Sequence, residues 1–112
     1  MTGPIDSAPA QLLHLLGYLY GQHGERKRGL VLLLIAARLA PDNVGIWRTL
    51  AHSFLADGAP ERTIAVIERL RLMDESDDPV VDLLMGRALW ACGRRVEARR
   101  AFRDFLARRN QS

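Results

Sequence analysis

The chain has 112 residues, 48% of them hydrophobic and 6% aromatic, with one cysteine and a formal net charge of +3 at pH 7. A chain of this length buries about two thirds of its unfolded surface, so one domain is expected to hold its own core without disulfide or metal staples. The longest apolar run, residues 30–40, is broken by Arg38 and falls well short of the ~20 residues that cross a bilayer.

The opening MTGPIDSAPA shows no basic stretch followed by an apolar one, so nothing in it argues for a secretory leader, and a cytoplasmic location is the expectation. Residues 1–9 are expected to be flexible. From Ala10 onward apolar residues recur every three and four positions and no useful segment alternates with period two, which makes the chain all-α. The first helix is expected at 9–22. It carries Leu12, Leu15 and Leu19 along one stripe, and Gly17 and Gly21 inside it. An interior glycine costs about 1 kcal/mol relative to alanine, so these two positions ask for a steric reason.

A second helix is expected at 26–39, and Pro41 with Asp42 breaks it, Asp42 being placed to cap a third at 43–56. Asp57 and Gly58 stop that helix, and Pro60 restarts the chain in a fourth at 60–73. Asp78 is placed to cap a fifth, at 79–92, which ends before Gly93. Cys92, in the apolar context LWACG, reads as a small core residue. The sixth helix, 95–109, is arginine-rich: residues 83–112 hold eight arginines and two acids, whereas residues 57–82 hold eight acids and three arginines. Arg94, Arg95, Arg99, Arg100, Arg103, Arg108 and Arg109 raise nucleic acid as a partner, but only Phe102 and Phe105 interleave with them. A solvated basic face beside an acidic neighbour is the preferred reading, and no nucleic acid is expected.

The breaks repeat. Gly24, Gly58 and Gly93 are 34 and 35 residues apart. Seven positions before each stands a small residue (Gly17, Ala51, Gly86), and four before each a large one (Tyr20, Phe54, Leu89). Five after each come Gly29, Thr63 and Ala98, and nine after each come Leu33, Ile67 and Phe102. This pattern resembles the tetratricopeptide repeat, whose 34 residues place Trp, Leu-Gly, Tyr, a turn Gly, Ala, Phe, Ala and Pro at fixed points. The first repeat matches with Leu16-Gly17, Tyr20, Gly24, Leu33, Ala36 and Pro41. The second matches with Trp47, Leu50-Ala51, Phe54, Gly58 and Ile67, and the third with Met85-Gly86, Leu89, Gly93, Ala98 and Phe102. Asp82 stands where the tryptophan of the third repeat belongs, and Thr63 replaces an alanine.

The resemblance implies one domain over residues 10–110, with repeats at about 10–43, 44–78 and 79–110, wound as a short right-handed superhelix whose first helices line a concave groove. The groove stripe then reads His14, Tyr18 and Gly21, next Arg48, His52 and Leu55, and last Leu83, Arg87 and Trp90. Such a surface suits a partly apolar, partly acidic peptide or helix. Trp90 reads equally well as a core residue closing the third repeat. Leu12, Leu15 and Leu19 lack an evident cover, and Ala101 and Leu106 are expected to stay open near the other end. Either the N-terminal ten residues fold back over them, or a partner chain covers the apolar ends, or the chain self-associates; of these, an obligate partner is the expectation.

Among small proteins built this way, the chain resembles the type III secretion chaperones of the SctY (YscY) family. The resemblance rests on size, the segment from Gln11 to Leu19, and the closing ARRAFRDFLARRN. It implies a cytoplasmic bacterial chaperone that stabilises a small secreted SctX-like partner and brings it to the SctV-like export gate, peripheral to the inner membrane. A needle-subunit cochaperone and a translocator chaperone are the neighbouring alternatives. Catalysis has no support, because no nucleophile and base or carboxylate pair recurs at usable spacing. No cofactor or metal is expected: His14 and His52 share the groove stripe but lack any third ligand at metal-binding spacing. A Lys/Asn clamp for a terminal carboxylate, as Hsp90 cochaperones use, is also absent, its positions being taken by His14, Tyr18 and Thr49.

Overall fold

The computed structural model describes residues 4–73 and 78–111, with side chains from residue 8 onward. Six helices fill the described residues: α1 (Pro4–Gln22), α2 (Arg26–Leu39), α3 (Val44–Ala56), α4 (Pro60–Met73), α5 (Pro79–Ala91) and α6 (Arg95–Gln111). Five of the six begin within a residue of the expected position. The exception is α1, which starts at Pro4 and carries Pro9 inside it. Pro9 has no N–H for the carbonyl four residues back, so that turn lacks one hydrogen bond. The neighbouring Ala10 is fully buried in the core, and that packing offsets the loss. At α3 the cap is Asn43 rather than Asp42, its side chain accepting from the Ile46 N–H at 3.1 Å. Asp78 caps α5 as expected, accepting from the Val80 N–H at 3.0 Å.

One turn recurs at the end of each first helix. Gly24, Gly58 and Gly93 have φ of +83°, +79° and +78°, the left-handed region that side chains with a Cβ rarely enter. In each case the next residue's N–H reaches back to the carbonyl of the large residue four before the glycine: Glu25 to Tyr20 at 2.8 Å, Ala59 to Phe54 at 2.9 Å, and Arg94 to Leu89 at 2.9 Å. The glycine N–H meanwhile bonds the carbonyl three back, which makes the pair of bonds a Schellman motif used three times. The spacing of 34 and 35 residues is therefore the spacing of one repeated backbone device.

Small residues bring paired helices together, as the pattern requires. A Cβ on Gly17 would lie 2.7 Å from Leu33 Cγ and 2.9 Å from the Gly29 carbonyl oxygen, and one on Gly86 would lie 2.5 Å from the Phe102 ring. In the middle repeat Thr63 is fully buried, and its hydroxyl donates to the Ala51 carbonyl at 3.0 Å. That bond explains how a threonine fits an alanine site: its polar group is satisfied by the facing backbone.

The curvature follows from which helices meet. First helices touch, α1 with α3 and α3 with α5, whereas neither α2 and α4 nor α4 and α6 approach each other. An array that closes on one side and opens on the other is concave on the first-helix side. Its extents are 43 × 29 × 20 Å. Ala101, expected to lie open, is 7% exposed; it shares with Ala98 the α6 face that packs on α5. Leu106 is half exposed.

Asp82 has an unexpected role. It is 1% exposed, and both carboxylate oxygens are taken: Arg71 Nη2 of α4 donates to Oδ1 at 2.9 Å, and Arg108 Nη1 of α6 donates to Oδ2 at 2.6 Å. A polar clasp thus replaces the expected tryptophan and ties three helices. Removing one partner of a buried ion pair costs about 3–5 kcal/mol, and the partial exposure of both arginines reduces this here. Asp82→Ala is expected to lose about 2 kcal/mol in a denaturant titration, and Asp82→Leu, which refills the space, to lose less. Equal midpoints for wild type and Asp82→Ala would show the clasp to be energetically idle.

Candidate functional site: the concave groove

The groove side of α1 and α3 encloses a cavity of about 320 Å³ that also reaches the start of α2. Tyr18, Gly21 and His52 line it together, as the stripe predicted, with Gly17, Gln22, Arg26, Gly29, Thr49, Ser53 and Ala56. A Cβ on Gly21 would meet nothing within 4 Å, so this glycine borders open space. The predicted stripe of α3 was Arg48, His52 and Leu55, whereas the cavity is floored by Thr49, Ser53 and Ala56, one position further round. An i, i+4, i+7 pattern cannot distinguish adjacent stripes when both are of mixed polarity.

His14 stands between α1 and α3. Its Nε2 lies 2.7 Å from Thr49 Oγ1, and Thr49 donates its own proton to the Gly45 carbonyl at 3.0 Å, so the imidazole supplies the N–H of the first bond. Arg48 pairs with Asp78 at 3.5 Å, beside His52 at a smaller cavity of about 20 Å³. Burial lowers the pKa of His14. It lowers that of His52 too, aided by the Arg87 charge and opposed by Asp78. Both imidazoles therefore bind protons less readily in the folded chain than in the unfolded one. Stability is full above the ordinary value of 6.5 and declines as pH falls through the lowered values. A lower urea midpoint at pH 5 than at pH 7.5 is expected, and His14→Gln with His52→Gln should shrink the difference. A difference of the same size in the double variant would assign the acid sensitivity to other groups.

Leu55, Leu83 and Trp90 line neither cavity. Leu55 is half-buried and packs on the core, and Leu83 is half-buried on α5. Trp90 is 47% exposed rather than a core residue, and the Arg95 guanidinium lies 5.0 Å from its ring centroid. Arg87 is exposed and near enough to act on the His52 charge. The predicted stripe is thus split into a pocketed half at α1 and α3 and an open half at α5.

Outside the groove, Leu12, Leu15 and Leu19 are 57%, 54% and 40% exposed, an uncovered leucine face on α1. Several arginines on α6 or just before it are engaged: Arg94 with Glu97 at 2.6 Å, Arg95 over Trp90, and Arg108 on Asp82. Cys92 is half-buried, and burial raises the pKa of its thiol, so it is no ready nucleophile. Among the described residues no three His, Cys, Asp or Glu side chains gather as a metal set, and no helix is long and apolar enough to cross a membrane.

No protein-family model matches the sequence, and no curated protein is significantly similar to it. The fold does have solved counterparts. The second tetratricopeptide-repeat domain of Spaghetti (RPAP3), solved bound to the HSP90 peptide SRMEEVD, superposes with a TM-score of 0.81 over 90% of this chain and 93% of that one, at 18% sequence identity. The chain is an all-α array of tetratricopeptide-like fold.

Proposed function

We propose that this chain is a non-enzymatic chaperone that holds a helical segment of a small partner protein in its concave groove. The observation that carries the reading is the open cavity at Tyr18, Gly21 and His52 on the groove side of α1 and α3. Tyr18 offers an aromatic anchor, and Gly21 leaves the space that a client side chain needs. The similar domain of Spaghetti holds a peptide, which supports a peptide-like ligand here. A clamp for a terminal carboxylate is not favoured, because His14 and Thr49 bond to each other instead of presenting charge.

The finer reading is a type III secretion chaperone of SctY type in the bacterial cytoplasm, with an SctX-like client carried to an SctV-like export gate. It rests on the sequence resemblance and on the exposed Leu12, Leu15 and Leu19, which serve as a second contact for the client or, without client, for another copy. Coexpression with SctX-type, needle-subunit and translocator proteins tests it: a stable complex with the SctX-type protein is expected. Capture of one of the other two would reassign the client within the class, and capture of none would remove the secretion reading. In the complex, Trp90→Ala and Leu55→Ala should each weaken affinity by about 1–2 kcal/mol while helicity is retained, as calorimetry and circular dichroism would show.

A further inference from the structure

The outer side of the array carries a second docking trough, and we infer that it takes an acidic amphipathic helix. Because α2 and α4 do not meet, a cleft opens between them with α3 as its floor. Two cavities of about 360 and 470 Å³ occupy it, joined at Leu34, which lines both. Leu30, Val31 and Leu34 form the apolar wall on α2. Phe54 closes the floor at one end and Trp47 at the other. Val31 and Leu34 remain exposed within the apolar run that fills residues 30–37 of α2.

Dimensions and charge select the occupant. From Lys27 to Arg38 along α2 is eleven residues, about 16 Å at the helical rise, or three turns. A helix lying between two helices repeats the packing that built the array, and three turns bring two or three apolar side chains onto Leu34. Cations stand at both ends. Lys27 and Arg62 flank the Phe54 end, and Arg38 and Arg69 the Trp47 end. Among the described residues the lining holds one carboxylate, Asp57, which already pairs with Lys27 at 3.4 Å. Arg69 stacks on Trp47 at 4.6 Å and Arg62 over Phe54 at 5.7 Å. A guanidinium held by its face on an aromatic ring keeps its N–H edge for a carboxylate. The complementary ligand is therefore a helix with Leu or Ile along one stripe and Glu or Asp at each end of that stripe.

The test uses the full chain and a labelled, helix-stapled 14-residue peptide with leucines at i, i+3 and i+7 and glutamates at both ends of that stripe. Saturable binding read by fluorescence anisotropy is expected, weakened at least tenfold by Leu34→Asp and by replacing the peptide glutamates with lysine. Arg38→Glu with Arg62→Glu should reverse the preference toward the lysine peptide. Gly21→Trp, which alters only the opposite face, should leave the peptide affinity unchanged. Absence of binding by the wild-type chain, or loss of it in Gly21→Trp with Leu34→Asp unaffected, would overturn the assignment. So would sedimentation showing a dimer that Leu34→Asp converts to a monomer, because the trough would then belong to a second copy.

Discussion

Gly29→Ala is expected to destabilise the chain by about 1–2 kcal/mol, although alanine is the residue the repeat pattern favours there. A Cβ on Gly29 would stand 2.6 Å from the Gly17 carbonyl oxygen and 3.1 Å from the Gly21 nitrogen. Both neighbours are backbone atoms of α1, so relief requires α1 and α2 to move apart along their whole contact. Overpacking of this sort costs about 1–3 kcal/mol and occasionally more, and the helix preference for alanine returns about 1 kcal/mol. For a domain of this size the net loss lowers Tm by about 4–8 °C in a thermal melt. Gly86→Ala gives the contrasting case. Its Cβ would meet the Phe102 ring, a half-buried side chain that can be cut back, so Phe102→Leu should recover part of that loss. No single side-chain substitution is expected to rescue Gly29→Ala. A Gly29→Ala protein with unchanged Tm would mean that the two helices already lie further apart than these contacts require.

That contrast also shows how far the sequence could be read. Helix positions, the three turn glycines and the pairing of small with large residues were legible because each rests on a local rule, repeated three times. Asp82, one of the positions at which the repeat pattern failed, was visible as a departure. Its purpose was not, because the two arginines that complete it lie 11 and 26 residues away, and no local rule pairs them. The extension of α1 to Pro4 was hidden in the same way, since it depends on the tertiary burial of Ala10. At the candidate site the helices lining the groove were legible, and so were Tyr18, Gly21 and His52, but the full set of cavity residues on α3 was not. One residue of helix is 100° of rotation, and only packing settled that Thr49, Ser53 and Ala56 face the cavity. The outer trough lay beyond sequence reading altogether, because it exists only where two helices fail to meet.

Gly21→Trp is expected to abolish client binding while leaving the fold intact, and it separates the groove from every other surface. Glycine at this position has no close neighbour: a Cβ would find nothing within 4 Å, and the residue lies on the wall of the 320 Å³ cavity with an ordinary helical backbone. Replacing it removes the entropic cost of glycine in a helix, so Gly21→Ala should raise stability by up to about 1 kcal/mol, the opposite sign to Gly29→Ala. The indole of Gly21→Trp projects into the space reserved for a client side chain, beside Tyr18 and His52. Loss of a central anchor costs about 2–4 kcal/mol in affinity, or about 30- to 1,000-fold in Kd. Calorimetric titration with the copurified client should therefore show heat lost in Gly21→Trp and retained in Gly21→Ala, with the circular dichroism of both matching wild type. A folded Gly21→Trp protein that binds its client at wild-type affinity would move the interface to the leucine face of α1, where Leu15→Asp would then be the decisive substitution.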